Sequence, residues 1–518
     1  MSGTCPGGAF VFVPMRLFFI ILCYITLVHR MHAQKEDYTW MLGGLDSAPG
    51  DEFANTKIHC NEDTFNYKKI NHYSPLTFTN ASICDANGDL VAYTNGTHIY
   101  NRNHNIMQNG NALQDPVFFA SGYRAVQGAI LLKQPNTSGI YYMISGDRNY
   151  TIDDVGVRPL HYSLIDLSFN NGLGKVVVKK AVINDTDTLN WGRISAVRHA
   201  NGRDWWVIVS KMNANTFLKY LLGPDGIAPA GEQTVSGEPM HNGIANAVFS
   251  PDGQWHAVYA AFGNVVTGDS GFHLFRFDRC TGEFSQPFFR LYENLPWPGS
   301  AVFSPDSRFL YIVNWNRILQ YDLAAPDLLA SETLVAEYDG FLDERGLATR
   351  FFMAQLAPDN RIYINIPNWN SRYLHVIDQP NAKGDSCNVI QHAIFLPTYN
   401  SFSFPNFPNF RLYAEAGSIC DSIVVANPPE PPALARQIRV WPVPAAEVLH
   451  FSASGEWPGV FRLQLFDALG RPALDRDDLR LAPAASVPLD GLPPGMYFYV
   501  LSQQGRRVQA GKVVRAAE

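Results

Sequence analysis

Positive charge is scarce in this chain: 40 Lys and Arg stand against 47 Asp and Glu, a formal net charge of −7. That balance argues against nucleic acid as a partner, because binding phosphates needs a basic field that releases counterions. Charged residues of both signs reach only 17% and hydrophobic residues reach 46%, which excludes a disordered chain and leaves a globular one with a large core. No stretch has the roughly 20 apolar residues needed to cross a bilayer. There is no His-Glu-x-x-His, which excludes a zincin, and no Gly-rich loop ending in Lys-Ser/Thr to cradle a phosphate. What is abundant is aromatic and turn-forming: 33 Phe, 23 Tyr, 40 Gly and 34 Pro, a balance that favours strands and turns. The length of 518 residues allows about three domains, or one large repeat domain and a small one.

Met15-Arg16 precedes an uncharged apolar run of 12 residues, Leu17–Val28, and His29-Arg30-Met31-His32-Ala33 follows it. A positive residue before the run and a small residue after it predict a secretory signal peptide over residues 1–33, cut after Ala33, with Met15 the true start. The alternative is a retained amphipathic anchor. Export places the chain in an oxidising compartment, where Cys60, Cys84, Cys280, Cys387 and Cys420 remain; five is odd, so at most two bridges form internally. Cys60–Cys84 and Cys387–Cys420 are the nearest pairs in sequence and the disulfide candidates, although proximity does not fix connectivity. No two cysteines have metal-ligand spacing, so neither a zinc site nor any cofactor is expected.

The middle of the chain repeats. Ala247–Gly253, Ala301–Ser307 and Ala354–Asn360 align, with Pro251, Pro305 and Pro358 separated by 54 and then 53 residues. Each copy reads as a strand, a tight Pro-Asp turn and a second strand, then an alternating third run such as Phe272–Phe277 and a more variable fourth. Weaker copies turn at Asp85–Gly88, Gln134–Asn136 and His199–Gly202, giving six turns in all. A four-stranded unit every 50 residues or so is the signature of a β-propeller blade, and one blade cannot bury both faces alone. The expected fold is all-β: a propeller of six four-stranded blades over residues 34–423, or seven if the chain ends build a further blade. The strand around Tyr38–Leu42 is expected to close the ring as an outer strand beside the last blade. A double β-sandwich is the alternative, and it offers no reason for the matched turns.

Residues 424–437 are Pro-rich and read as a semi-rigid linker. Residues 438–518 follow as short strands, Ile438–Trp441, Val448–Ser452, Phe461–Asp467, Ala485–Pro488, Met496–Ser502 and Arg507–Arg515, which predicts a small β-sandwich. This segment carries Trp441-Pro442-Val443-Pro444, Val448-Leu449, an Asp-x-x-Gly ending at Gly470, Leu492-Pro493-Pro494-Gly495-Met496-Tyr497 and Lys512-Val513-Val514. As a set it resembles the type A C-terminal sorting domain of the type IX secretion system of Bacteroidota, with Val443 where that family has Asn. On this resemblance Pro442, Pro444, Gly470, Gly495, Met496, Tyr497 and Lys512 belong to the sorting signal. The resemblance implies export by the type IX machinery, removal of the domain by its sortase, and attachment to surface lipopolysaccharide or release from a Gram-negative cell. Asp421-Ser422-Ile423 resembles an O-glycosylation signal of the same bacteria. In a bacterium the sequons at Asn80, Asn95, Asn136, Asn149 and Asn184 read as turns.

The repeat region carries Asp85–Gly96 (Asp-x-x-Gly-x-Leu-x-x-Tyr-x-Asn-Gly), the Phe277–Gly282 turn (Phe-Asp-Arg-Cys-Thr-Gly) and the closing element Asn406-Phe407-Pro408-Asn409-Phe410-Arg411-Leu412. These resemble a family of secreted β-propellers of Bacteroidota, WD40/YVTN-like, a likeness that implies a fold and no biochemical activity.

Candidate chemistry is thin. Gly268-Asp269-Ser270-Gly271 resembles a serine-protease nucleophile loop, but Phe272 follows where glycine is needed, so a Gly-rich turn is the reading. His161, His199, His241 and His273 are candidate channel residues, although lone strand histidines are usually packed or hydrogen-bonded. Asp252, Asp306 and Asp359 are expected to hold their turns. Trp205, Trp206, Trp315 and Trp369 are the candidate ligand-binding residues; Asn314-Trp315-Asn316 and Asn368-Trp369-Asn370 recur 54 residues apart. Exposed, they would stack sugar rings or clasp a peptide; buried, they are packing between blades. The function expected is a non-catalytic binding or adhesion module for a glycan or protein, and the alternative is a hydrolase or lyase acting at the central opening.

Overall fold

The computed structural model describes residues 34–44, 51–149, 155–262, 268–295, 298–368, 370–421, 438–441, 447–453, 459–467, 470–481, 485–503 and 506–516. The expected signal peptide, the linker, Pro442, Pro444 and Trp369 lie outside them. The chain divides into two compact units, Met1–Val425 and Ala426–Glu518. Among the described residues there is no α-helix, only five short 3-10 turns, and no helix is long and apolar enough to cross a membrane.

The first unit is a succession of antiparallel sheets, five with four strands and two with three, each built from consecutive strands. All six expected turns fall between the first and second strands of a sheet, as between Ile244–Phe249 and Trp255–Phe262 or between Gly299–Phe303 and Phe309–Asn314. In four of the turns an acidic side chain caps the loop locally: Asp85 accepts from the Asn87 N–H, Asp252 from Gln254, Asp306 from Arg308 and Asp359 from Arg361. The second strands Leu90–Thr94, Trp205–Ser210 and Phe309–Asn314 are buried at every residue. Sheets cover them on both faces, so their sequences are near-continuous apolar runs. Fourth strands such as Gly226–Thr234 and Thr333–Glu337 are half-buried or exposed at every residue, which is why the repeat fades there.

First strands of successive sheets pack on one another, and the outer strand of the last sheet, Val389–Asn400, packs on Asn55–Cys60 and Phe65–Ile70 of the first. Phe65 stacks on Tyr363 at 4.0 Å across this junction, and the Thr56 and Thr398 hydroxyls bond to each other. First and last sheets are therefore neighbours, and the architecture is propeller-like.

Closure differs from the expectation. Thr39–Leu42 adds nothing to the outside of the last sheet; it pairs with Asn55–Cys60 in a three-stranded sheet of its own and is wholly buried. The reason is Trp40, whose ring lies against Tyr363, Phe404 and Phe407 at 6.0, 5.4 and 6.2 Å and needs cover on several sides. The chain leaving the last sheet then runs antiparallel to this strand. Ser401 N–H donates to Gly43 O at 3.2 Å, and Arg411 reaches Asp37 at the other end. Residues 401–411 thus occupy the innermost place beside Thr39–Leu42.

In the second unit, Ile438–Trp441, Val448–Ala453 and Ala485–Pro488 form one sheet, and Phe461–Asp467, Pro472–Leu479, Gly495–Gln503 and Arg506–Arg515 form another. Leu449, Phe451 and Val487 of the first share one apolar cluster with Leu463, Leu465 and Leu501 of the second. Pro472–Leu479 is a strand that sequence pattern missed, since its polar residues hide the alternation. Gly470, at φ +78°, closes the turn that the Asp467 carboxylate accepts from Arg471 N–H. Tyr497 is buried and donates to Pro493 O at 2.7 Å, whereas Met496 is exposed and Lys512 lies opposite Phe498.

Candidate functional site

The first strands Ser195–Arg198, Ile244–Phe249, Gly299–Phe303 and Ala354–Leu356 line a central channel together with residues of the 401–411 segment. Asn406 is the hub. Its N–H donates to Asn80 O at 2.8 Å, and its Nδ2 donates to Ala129 O and Ile194 O at 3.0 and 2.8 Å. Its Oδ1 accepts from Gln127, whose amide also bonds both main-chain groups of Ala247. One carboxamide thus joins several inner strands.

Between this segment and the strands on the far side lies a cavity of about 460 Å³. Val126, Phe249, Val302, Met353, Phe404 and Phe407 give it apolar walls, and the Pro-Asp turns ring one end. Its carboxylates are already engaged. Asp37 pairs with both terminal nitrogens of Arg411 at 2.7 Å. Asp252 and Asp306 each accept from a serine hydroxyl as well as a turn N–H. Burial disfavours the Arg411 charge, but Asp37, Tyr38 and Glu62 outweigh it and leave its pKa raised. Among the described residues no histidine lines this cavity, and no cluster of His, Cys, Asp and Glu has the makings of a metal site.

The structure does not gather the four candidate histidines. His161 is buried and bonds Asp147 at 2.9 Å. His199 accepts from Asn201 N–H, and its other ring nitrogen bonds Cys280 O. His241 faces Glu238 at 3.5 Å. His273 is sandwiched by Phe275 and Phe289, and burial pulls its pKa down to about 3. Ser270 belongs to the strand Asp269–Phe277, not to a turn, because Asn314 donates to its hydroxyl at 3.2 Å and Phe272 is needed in the core.

Trp205 and Trp206 are 2% and 5% exposed, which makes them packing residues and corrects their candidacy as ligand platforms. Trp205 lies under the Arg198 guanidinium at 3.8 Å and edge-on to Phe410. Trp206 donates from Nε1 to Arg279 O at 2.8 Å. Trp315, half-buried, lies in the turn after Phe309–Asn314 and accepts from Phe351 N–H.

The disulfide candidates also need correction. Cys280 joins Cys420, with Cα atoms 5.7 Å apart, and Cys60, Cys84 and Cys387 are buried free thiols. Cys60 and Cys84 end strands of different sheets and Cys387 sits in a 3-10 turn, whereas the Phe277–Gly282 turn meets the end of the channel segment. Arg279 there donates to Arg198 O, His199 O and Tyr413 O, and Glu415 N–H donates to Ala200 O. The bridge spans 140 residues. Cys280→Ser with Cys420→Ser is expected to lower stability by about 3 kcal/mol, read from urea unfolding; an unchanged midpoint would remove the clamp from this account. Of the sequons, Asn95 and Asn184 do build turns, each side chain accepting from the N–H two residues on. Asn80 instead donates internally to Met41 O.

Sequence reasoning overlooked Glu36 and Arg198, which lack any local motif. Burial raises the Glu36 pKa, its own main chain and Arg198 pull against that, and Oε2 is buried without a partner. It is the one carboxyl among the described residues with a raised pKa.

No protein-family model and no curated protein matches the sequence. Among solved structures, a functionally unknown protein from Desulfotomaculum acetoxidans is 13% identical, with a TM-score of 0.37 over 71% of this chain and 99% of that one. A 6-phosphogluconolactonase-like protein from Bacteroides uniformis is 11% identical, with a TM-score of 0.42 over 71% and 99%. A quinoprotein alcohol dehydrogenase-like protein from Bacteroides thetaiotaomicron is 12% identical, with a TM-score of 0.29 over 68% and 83%. Likenesses this distant decide nothing about activity.

Proposed function

We propose that this protein is a secreted, surface-delivered β-propeller that binds a glycan or protein without catalysis. Counted with the first sheet, whose innermost place residues 401–411 take, the propeller has seven blades. The observation that carries the reading is that the carboxylates lining the axial cavity each hold a turn or an arginine beside mainly apolar walls. The apolar walls and the Pro-Asp rim suit capture of an uncharged group. Export through the type IX system, with the second unit as the removable sorting domain, is supported by the motif set ending in Lys512-Val513-Val514 and by the Cys280–Cys420 bridge.

A second reading, a hydrolase or lyase, rests on Glu36, whose raised pKa near Arg198 is what a proton donor needs. Screening the full chain against a glycan array, a peptide library and a hydrolase substrate panel separates the two. The binding reading expects a ligand whose affinity Gln355→Trp, a cavity-wall substitution, weakens about tenfold or more at unchanged fold. Turnover abolished by Glu36→Gln would replace it with the enzymatic reading.

A further inference from the structure

The outer strand of a sheet needs cover on its far edge, because a free row of main-chain N–H and C=O groups pairs with any extended chain. The sheet that starts at Ile244–Phe249 ends in the outer strand Phe284–Tyr292. Register decides which of its groups face outward. Phe277 N–H donates to Gln254 O at 2.9 Å, so Phe277, Phe275 and His273 turn their main chain away from this strand, and Leu274 and Phe272 turn theirs toward it. Leu274 and Phe272 lie opposite Phe288 and Arg290, which leaves the main-chain groups of Phe289 and Leu291 on the outer edge.

One half of this edge is closed. Gln233 of the preceding sheet accepts from Phe284 N–H at 2.8 Å and donates to Phe284 O at 2.7 Å, and Pro287 has no N–H to offer. Gln391 covers Thr333–Glu337 in the same way, donating to Glu337 O and accepting from Asp339 N–H. The other half is open: among the described residues no group bonds the N–H or C=O of Phe289 or Leu291, and both residues are half-buried, not enclosed.

This open stretch borders a groove of about 710 Å³. Phe288, Phe289, Arg290, Leu291 and Tyr292 line it consecutively; the Phe289 ring turns away to stack on His273 at 4.5 Å, so Phe289 meets the groove with its main chain. Leu295, Leu319 and Leu329 supply an apolar floor. Glu332 is fixed in the wall by the Tyr321 hydroxyl and by Arg290 Nε at 3.1 Å. Arg317 stands 3.7 Å from Glu337. Exposed Glu293, also in the lining, is left without a cation among the described residues, and the groove carries an excess of acid.

We infer that this edge takes up an extended peptide of another protein, which pairs with Phe289 and Leu291 as an added strand, lays apolar side chains on the leucine floor and sets a basic side chain at Glu293. The groove shares no lining residue with the axial cavity, so the inference goes beyond the reading above and does not depend on it.

The test uses the full chain and the capped peptide Thr-Val-Thr-Leu-Thr-Lys-Thr, with binding read by calorimetry. The peptide is expected to bind saturably below about 1 mM, and its counterpart with glutamate for lysine about tenfold more weakly. N-methylation of one alternate set of peptide amides is expected to weaken binding about thirtyfold and of the other set little, because a strand bonds its neighbour through every second residue. Leu291→Pro removes an outward N–H and no existing ladder bond, and is expected to abolish binding. Glu293→Lys, a surface change, is expected to invert the preference between the two peptides, which preserves the test if Leu291→Pro fails to fold. Gln355→Trp in the axial cavity is expected to leave the affinity unchanged. Equal binding of the two peptides, equal response to both methylation patterns, unchanged affinity in either edge variant, loss of binding in Gln355→Trp, or no binding by about 1 mM overturns the proposal.

Discussion

Lowering the pH from 7 to 5 is expected to destabilise the first unit by about 6 kcal/mol. His256, His273 and His375 are each almost wholly buried, and burial pulls each pKa down to about 3. His256 sits among Phe217, Phe249 and Phe284 with Nε2 3.2 Å from Ser195 Oγ. His375 packs on Phe351, and its Nδ1 accepts from His392 N–H. Neither environment hydrates an imidazolium. The unfolded chain protonates these rings near pH 6.5, the folded one only near pH 3, so the unfolded state holds more protons throughout that interval. Stability is therefore complete above about pH 6.5 and falls with acidification, by about 2 kcal/mol per histidine at pH 5. Urea unfolding at successive pH values reads this directly. His256→Gln should remove about a third of the loss; equal stability at pH 7 and pH 5 would show that the rings are hydrated.

Replacing Asn406 with leucine is expected to cost about 4 kcal/mol. The side chain is 6% exposed and nearly isosteric with leucine, so the loss is polar and not volumetric. Ala129 O, Ile194 O and the Gln127 amide would each lose a partner inside the channel. Buried carbonyls left without donors carry their full desolvation cost. Gln127→Leu alone should cost less, and the double variant less than the sum, because both act in one network. Additive losses, or an Asn406→Leu midpoint equal to wild type, would mean that the segment is held by its phenylalanines instead.

The six turns were legible because they are local: Asp252 binds the N–H two residues on, and no distant residue is needed. Of the first sheet only the strand around Tyr38–Leu42 was legible, because no Pro-Asp pair like those at 251, 305 and 358 marks the sequence between it and Asn55. Trp205 and Trp206 were ambiguous in sequence, since an aromatic in a strand serves a core or a surface equally well. The closing element around Asn406 was visible as a string of residues, but its service to several inner strands depends on where the ring places them.

The repeat period, the strand–turn–strand grammar and the all-β class follow from the amino-acid order alone, because alternation and turn caps act over a few residues. Three matters were settled only by the folded ring: which cysteines join, which strand lies innermost, and which charges remain unpaired. Each depends on residues brought together across more than 100 positions, as Cys280 with Cys420 and Asp37 with Arg411, and no local pattern records such meetings.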